Sequence, residues 1–379
     1  MYLLFFHKSI NIFITLLEKI YEICTQTFAK TFAKITKKMK KSIPTLKAMA
    51  EQLGLSISTV SRALNNHPDI SSETRKRVQT LASEVNYIPN IFAKGFRAHK
   101  TNILGVVVPN ITHYFTTTLI RGILEEASLR GYRVIVSESN NDVVKQTEML
   151  NTMIQFGVDG VLMSISKMTR DIDSILKVMH TLPLVLLDKA SNKIPCTQVV
   201  INEEEAAYNA VEHLINIGKK RVAIIKETQF SYNSEKRFAG YLRALKDYNL
   251  PIDEKIILTV EDISLTQGEQ MTNILMSLKE KPDAIFAITD SAAIGAIKTL
   301  KKHKVKIPED IAVVGFSNSL NSTIIEPQLT TVDQPGQKIG ATAVKYLIQE
   351  IDNPNVELTN KTIEVRSNLI IRDSTLSIK

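Results

Sequence analysis

Cysteine is scarce. The 379 residues hold two, Cys24 and Cys196, too few for a disulfide framework, and no CxxC pair or His-rich cluster suggests zinc. Long apolar runs are also missing. In the apolar N-terminal stretch the longest run without charge, residues 9–17, falls far short of the roughly 20 residues that span a bilayer. Neither GxGxxG nor GxxxxGKS/T occurs, so nucleotide-phosphate binding has no support. No Ser/His/Asp elbow or metal cluster is recognisable. These gaps argue against an enzyme and imply no cofactor.

What is present is ordinary globular chemistry, with apolar residues at 44% and charged residues at 23%. The length fits two or three domains. The net charge of +8 is unevenly spread. Residues 1–100 hold 16 Lys/Arg against six Asp/Glu, whereas the remaining 279 hold 31 against 33. An excess confined to the first quarter suggests a polyanionic partner, nucleic acid or an acidic membrane surface, or else a solvated basic face.

Residues 1–38 read unlike the rest. They contain no Gly or Pro, only Glu18 and Glu22 as acids, and five of the 13 Phe. Three readings fit: an amphipathic helix lying on a membrane or partner, an ordinary extra helix, or a stretch not translated in the cell, with the true start at Met39. The last is preferred, because everything recognisable begins just after Met39.

Further on, Thr45 is placed to cap a helix over 46–53, with Leu46, Met49, Ala50 and Leu53 on one face. Gly54 ends it where a left-handed residue is needed. Ser56 caps a second helix over 57–64, closed by Asn65-Asn66-His67-Pro68. Ser71 caps a third over 72–86, with Val78, Leu81, Ala82 and Val85 inward. Two short helices joined by a tight Gly-containing turn form a helix-turn-helix signature. In such a unit the second helix enters the DNA major groove. Its exposed positions are Ile57, Ser58, Ser61 and Arg62. Arg62 can grip guanine O6 and N7, Ser58 can donate or accept, and Ile57 can meet a thymine methyl. Thr59 suits a phosphate and Val60 the core.

The run TLKAMAEQLGLSISTVSRALNNHPDISSETRKRVQTLASEVNYIPN, residues 45–90, resembles the DNA-binding headpiece of LacI/GalR-type bacterial repressors. The resemblance implies a headpiece at 43–88 followed by a hinge helix and linker at 89–100, where NIFAKGFR stands. It adds Thr45, Ser56, Asn65, Tyr87, Asn90, Ala93, Lys94 and Arg97 to the expected DNA contacts. It also places Phe96 where relatives carry a Leu that wedges into the minor groove. Phe is an accepted wedge between base steps. Gly95 in a helix interior costs about 1 kcal/mol relative to Ala, so this hinge is expected to form only on DNA.

From residue 102 short apolar runs alternate with helical segments of 10–16 residues. The runs fall at 103–108, 133–137, 160–165, 183–187, 221–225, 284–288 and 311–316, and the helical segments at 115–129, 203–217, 235–248 and 291–303. This is an α/β pattern with a parallel sheet covered on both faces. The strands are too many for one sheet, and the pattern restarts near Gln198. The resemblance continues through ILGVVVPNI, GVDGVLMSI, IAVVGF and LIIRDST. It implies an all-α helix-turn-helix headpiece plus a two-lobed periplasmic-binding-protein-like, Rossmann-like parallel-sheet domain at 101–375 that binds an effector and dimerises.

In that family a small sugar or derivative binds between the lobes. The matching positions are Tyr114, Phe115, Asp188, Lys189, Arg237 and Asp290, with Ser317 and Asn318 where the family commonly has paired acids. Taken alone, the aromatics would read as helix-start core, the two Asp as helix caps and Arg237 as a solvated helix residue. The lost carboxylates beside Lys189 and Arg237 lead to the expectation that the site tolerates an acidic ligand such as a uronate or sugar phosphate. The whole reads as a cytoplasmic, nucleoid-associated, homodimeric repressor of carbohydrate-utilisation genes on palindromic operator DNA, with no membrane partner. No heptad tail follows LIIRDST, which argues against a coiled-coil tetramer. The alternative is the sugar-binding component of a transport system.

N-terminal mass spectrometry of the native protein tests the preferred start. The mature chain is expected to begin at or beside Met39, and a chain beginning at Met1 would refute it.

Overall fold

The computed structural model describes Lys19 and residues 44–88, 100–189, 191–228, 231–354 and 361–376. The chain divides into two compact units, residues 1–91 and 92–379, described here one at a time. The expectations for residues 1–38 and for Asn90, Ala93, Lys94, Phe96 and Arg97 of the hinge lie outside the described residues.

In the first unit three helices follow each other: α1 Leu46–Leu53, α2 Ile57–Leu64 and α3 Ser72–Glu84. Each starts where a hydroxyl can take the place of a missing backbone acceptor. Thr45 accepts from Ala48 N at 3.1 Å, Ser56 from Thr59 N at 3.1 Å and Ser71 from Thr74 N at 3.2 Å. Each also ends on a left-handed residue, Gly54 (φ 66°), Asn66 (φ 56°) and Asn86 (φ 51°). The following N–H groups, of Leu55, His67 and Tyr87, return to Ala50 O, Arg62 O and Ala82 O, the Schellman closure. That closure stops α3 at Glu84, two residues before the expected end. Met49, Ala50, Val60, Ala63, Val78 and Leu81 form the buried core.

The second unit contains two six-stranded sheets. In chain order its elements are β1 Ile103–Val108, α4 Tyr114–Leu129, β2 Arg133–Glu138, α5 Val143–Gln155, β3 Gly160–Met163, α6 Asp173–Met179, β4 Leu184–Leu187 and β5 Gln198–Val200. Then come α7 Glu203–Asn216, β6 Val222–Glu227, α8 Tyr232–Asp247, β7 Ile257–Val260, α9 Leu265–Ser277, β8 Ala284–Ala287, α10 Asp290–Lys302, β9 Ala312–Phe316, α11 Asn321–Ile324 and β10 Thr330–Asp333. The chain finishes with α12 Gly336–Asp352, β11 Thr362–Glu364 and β12 Asn368–Ile370.

The first sheet runs β11-β5-β4-β3-β1-β2 and the second β12-β10-β9-β8-β6-β7. Every pairing is parallel except β10 with β12. Strands β1, β3, β4, β8 and β9 are buried along their whole length, as a doubly covered sheet requires. The chain crosses between lobes three times. After β5 it enters the second lobe, where α7 packs on β8, β9, β10 and β12. After β10 it returns, and α12 packs on α4, β3, β4 and β5. After β11 it crosses again to β12. The restart expected near Gln198 therefore falls just after β5, which pairs with β4 in the first sheet.

Helices α4 and α12 approach closely enough to need glycine. A Cβ on Gly122 would collide with the Gln337 carbonyl, and one on Gly340 with the Leu119 carbonyl. Replacing either residue by Val should force the helices apart. The expected destabilisation is about 1–3 kcal/mol or more, read as a lower urea midpoint of the effector unit by circular dichroism. An unchanged midpoint would contradict the packing.

Candidate DNA-reading helix and effector cleft

In α2 the capping chemistry leaves a short reading face. Ser56 Oγ lies 2.7 Å from Ser58 Oγ and 2.8 Å from Thr59 Oγ1. The first-turn hydroxyls thus form one cluster that fixes the start of the helix. Ile57 is 45% exposed, a large apolar side chain offered to solvent. Ser58 and Arg62 are exposed, Ser61 and Thr59 half-buried, and Val60 fully buried. Asn65 Nδ2 donates to Ser61 O at 2.8 Å and closes the helix. Tyr87 packs against the headpiece core, and burial pushes its phenol up. Arg75 is a residue that sequence reasoning did not single out. Its guanidinium donates to His67 O at 2.9 Å and Ile70 O at 3.2 Å, tying down the turn between α2 and α3. Thr45 and Ser56 serve as caps, so their side chains set the helix ends that would face a phosphate.

In the second unit Tyr114, Phe115, Asp188, Lys189, Arg237, Asp290 and Ser317 line one interlobe cleft of about 480 Å³. They come from the carboxyl ends of β1, β4, β8 and β9 and from α8, where ligands of open parallel sheets sit. Asn318 does not line it. Its φ of 50° turns the side chain away; Nδ2 donates to Asp333 at 2.9 Å and Oδ1 accepts from Arg372 at 2.7 Å. The backbone conformation that exposes Ser317 thus commits Asn318 to structure.

Arg237 is buried, which corrects the picture of a solvated helix residue. Its Nε donates to Glu203 at 2.7 Å and its Nη1 to Ile288 O at 2.5 Å. Its guanidinium also lies 3.6 Å from the centroid of the Phe316 ring. Burial pushes the Glu203 carboxyl up, with Arg237 pulling against the shift. Asp290 is the first residue of α10 while Thr289 caps that helix. The Asp290 carboxylate instead accepts from Ser319 N and from the Thr331 hydroxyl, each at 2.5 Å. Its carboxyl too is raised by burial. Phe115 packs on the apolar core, whereas Tyr114 is exposed. Ser317 Oγ donates to Gln334 at 2.7 Å.

Two contacts span the cleft. Asn233 of α8 donates to Asp188 at 3.0 Å, and Asp188 also accepts from Ser164 at 3.0 Å. Lys167, after β3, pairs with Asp262 and donates to Glu261 O at 3.1 Å on the other lobe. Glu203, Lys167, Asn233, Asp262 and Gln334 escaped sequence reasoning. Lys167 and Asp262 are 95 positions apart and share no pattern. Glu203 carried a signal that went unread: an acid directly after the first crossing, buried rather than solvated like Glu204 and Glu205.

The acidic-ligand expectation is not supported in this cleft. Glu203 already neutralises Arg237, and Asp188, Glu227, Asp262 and Asp290 line the walls beside Lys167 and Lys189. Among the described residues no group of His, Cys, Asp and Glu could hold a metal ion, and no helix is long and apolar enough to cross a membrane. Removing one partner of a buried pair strands the other charge. Glu203→Ala should therefore cost about 3–5 kcal/mol, while Glu203→Leu with Arg237→Met should recover most of it. Urea midpoints of the single and double variants measure this; equal losses would refute it.

Comparison with known proteins shows the family of both units. Residues 45–90 match the model for "Bacterial regulatory proteins, lacI family", and residues 101–376 that for "Periplasmic binding proteins and sugar binding domain of LacI family". The chain is 35% identical over 333 residues to the NTD biosynthesis operon regulator NtdR of Bacillus subtilis, covering 88% of this chain and 100% of that one. It is 32% identical to catabolite control protein A of Priestia megaterium, covering 87% and 99%. Among solved structures, the Lac repressor dimer bound to operator and the anti-inducer ONPF superposes with a TM-score of 0.78 at 25% identity, covering 89% of this chain and 100% of that one. A complex of the transcriptional regulator CelR with cellobiose gives a TM-score of 0.66 at 25% identity, covering 87% and 99%. The headpiece match sets aside the transport-component alternative. With a lacI-family helix-turn-helix unit followed by a two-lobed unit of the family's sugar-binding type, this chain belongs to the LacI family as a DNA-binding transcriptional regulator under effector control.

Proposed function

We propose that the protein is a repressor of carbohydrate-utilisation genes that acts as a homodimer on a roughly palindromic operator, and that a small sugar-like effector in the cleft controls it. The carrying observation is the convergence of Tyr114, Asp188, Lys189, Arg237, Asp290 and Ser317 from both lobes on one cleft. Paired hydrogen-bonding groups beside an exposed aromatic suit a polyhydroxylated ring. The relative bound to cellobiose supports that ligand class.

The contacts of Asn233 with Asp188 and of Lys167 with Asp262 support a route for effector control. A ligand taking over Asp188 competes with a bond that already holds the lobes together, so its binding alters lobe spacing. Such a ligand is allosteric only through its preference for one spacing, about 1–3 kcal/mol in typical cases. Dimerisation is supported by the open edge of the first sheet. There β2 has an unpaired side and exposed Val136, next to exposed Leu124 and Leu129 of α4, and edges of this kind are normally covered. The reading places the protein in the cytoplasm beside the nucleoid and requires no catalysis. Ile57, Ser58, Ser61 and Arg62 would read bases, while Thr45, Ser56, Thr59, Asn65 and Tyr87 would position the headpiece on phosphates. In the hinge Asn90, Ala93, Lys94 and Arg97 would contact the DNA and Phe96 would wedge into the minor groove.

Genome-wide footprinting would supply the operator duplex, and fluorescence anisotropy the affinity. Arg62→Ala should weaken binding by about 1–3 kcal/mol and relax specificity at one base pair. Phe96→Ala should weaken operator binding and leave effector affinity unchanged. Wild-type binding should fall steeply with salt. Unchanged operator affinity in both variants would overturn the assignment.

A further inference from the structure

A second interlobe cavity, of about 700 Å³, opens beside the effector cleft. Its charged lining is Lys167, Arg170, Lys189, Lys193, Lys236 and Glu235. Glu235 is already paired with Lys226 at 2.7 Å and Lys167 with Asp262. Among the described residues neither Lys189 nor Lys193 forms an ion pair. Lys189 has its amine on Ile165 O at 2.9 Å, and burial pushes that amine down. Its sequence neighbour Asp188 turns to Ser164 and Asn233 instead. Lys236 stands 3.8 Å from Glu204, outside the lining. Five of the six charged lining residues are basic, and such an excess of one sign concentrates ions of the other. The floor is different in kind: Ile165, Ile172, Ala239 and the ring of Tyr232.

We propose that this cavity is an anion-binding site adjoining the effector cleft, with which it shares Lys167 and Lys189 and from which Lys193 and Lys236 set it apart. It takes a small organic anion, with a phosphate ester or carboxylate at the lysine rim and an apolar or ring body on the floor. Lys189 and Lys193 belong to the first lobe and Lys236 to the second. An anion held between Lys193 and Lys236 links the lobes at the margin of the effector cleft and gives the regulator a second input. Charge-assisted bonds to phosphate or carboxylate are the interaction these side chains make best.

The probe is phenyl phosphate, titrated calorimetrically into the full-length protein at constant ionic strength, with sodium chloride as the reference. Saturable binding at one site per chain is expected. Lys193→Glu with Lys236→Glu should lower the affinity about tenfold or more. Both side chains are exposed, and circular dichroism together with the milder Lys193→Gln, Lys236→Gln pair guards against misfolding. Tyr114→Ala, an exposed residue of the effector cleft that does not line this cavity, should leave phenyl phosphate affinity unchanged. The proposal fails if no saturable heat appears up to about 10 mM, if the lysine variants bind as the wild type does, or if Tyr114→Ala abolishes binding.

Discussion

A guanidinium carried into the floor of a cleft must bring its counter-charge with it. Arg237 meets that constraint through Glu203, the first residue of α7 after the chain has crossed from the first lobe. The same side chain reaches the carbonyl of Ile288 just beyond β8 and lies on the ring of Phe316 at the end of β9. One buried pair thus ties the first crossing, the start of α8 and two central strands into a single floor. Gln334, at the second crossing, stands 3.5 Å from the other oxygen of Glu203. Anything that binds on this floor acts on residues already joined to two of the three crossings.

The walls of the cleft are less committed than its floor. The Asn233–Asp188 hydrogen bond and the Lys167–Asp262 ion pair join side chains of opposite lobes, each contributing about 1 kcal/mol. They are strong enough to favour one spacing and weak enough for a ligand to replace. The α4–α12 contact is the reverse case. There Gly122 and Gly340 let the backbones of two helices of the same lobe meet directly.

The headpiece was almost wholly legible in its sequence. Its caps, turn residues and core positions act over three to six residues, and such signals survive in a linear string. The effector domain was legible in part. Fully buried strands stood out as apolar runs, but the three-residue strands β5, β11 and β12 carry too little pattern to be seen. Their absence shifted the apparent lobe boundary to Gln198. Seven of the eight cleft positions reached the cleft. Asn318 did not, because a left-handed backbone at that residue reverses the direction its neighbour Ser317 takes.

What the sequence determined by itself was local: helix starts and stops, the exposure of Ile57 and Arg62 on α2, and the alternation that demands parallel sheets. These follow from hydrogen bonds and periodicities within one element. What only the tertiary structure decided was charge pairing. Arg237 with Glu203, Lys167 with Asp262 and the bond of Lys189 to Ile165 O depend on which strand ends meet across the crossings. The energy of a charge depends on its neighbours in space, and the sequence orders those neighbours differently.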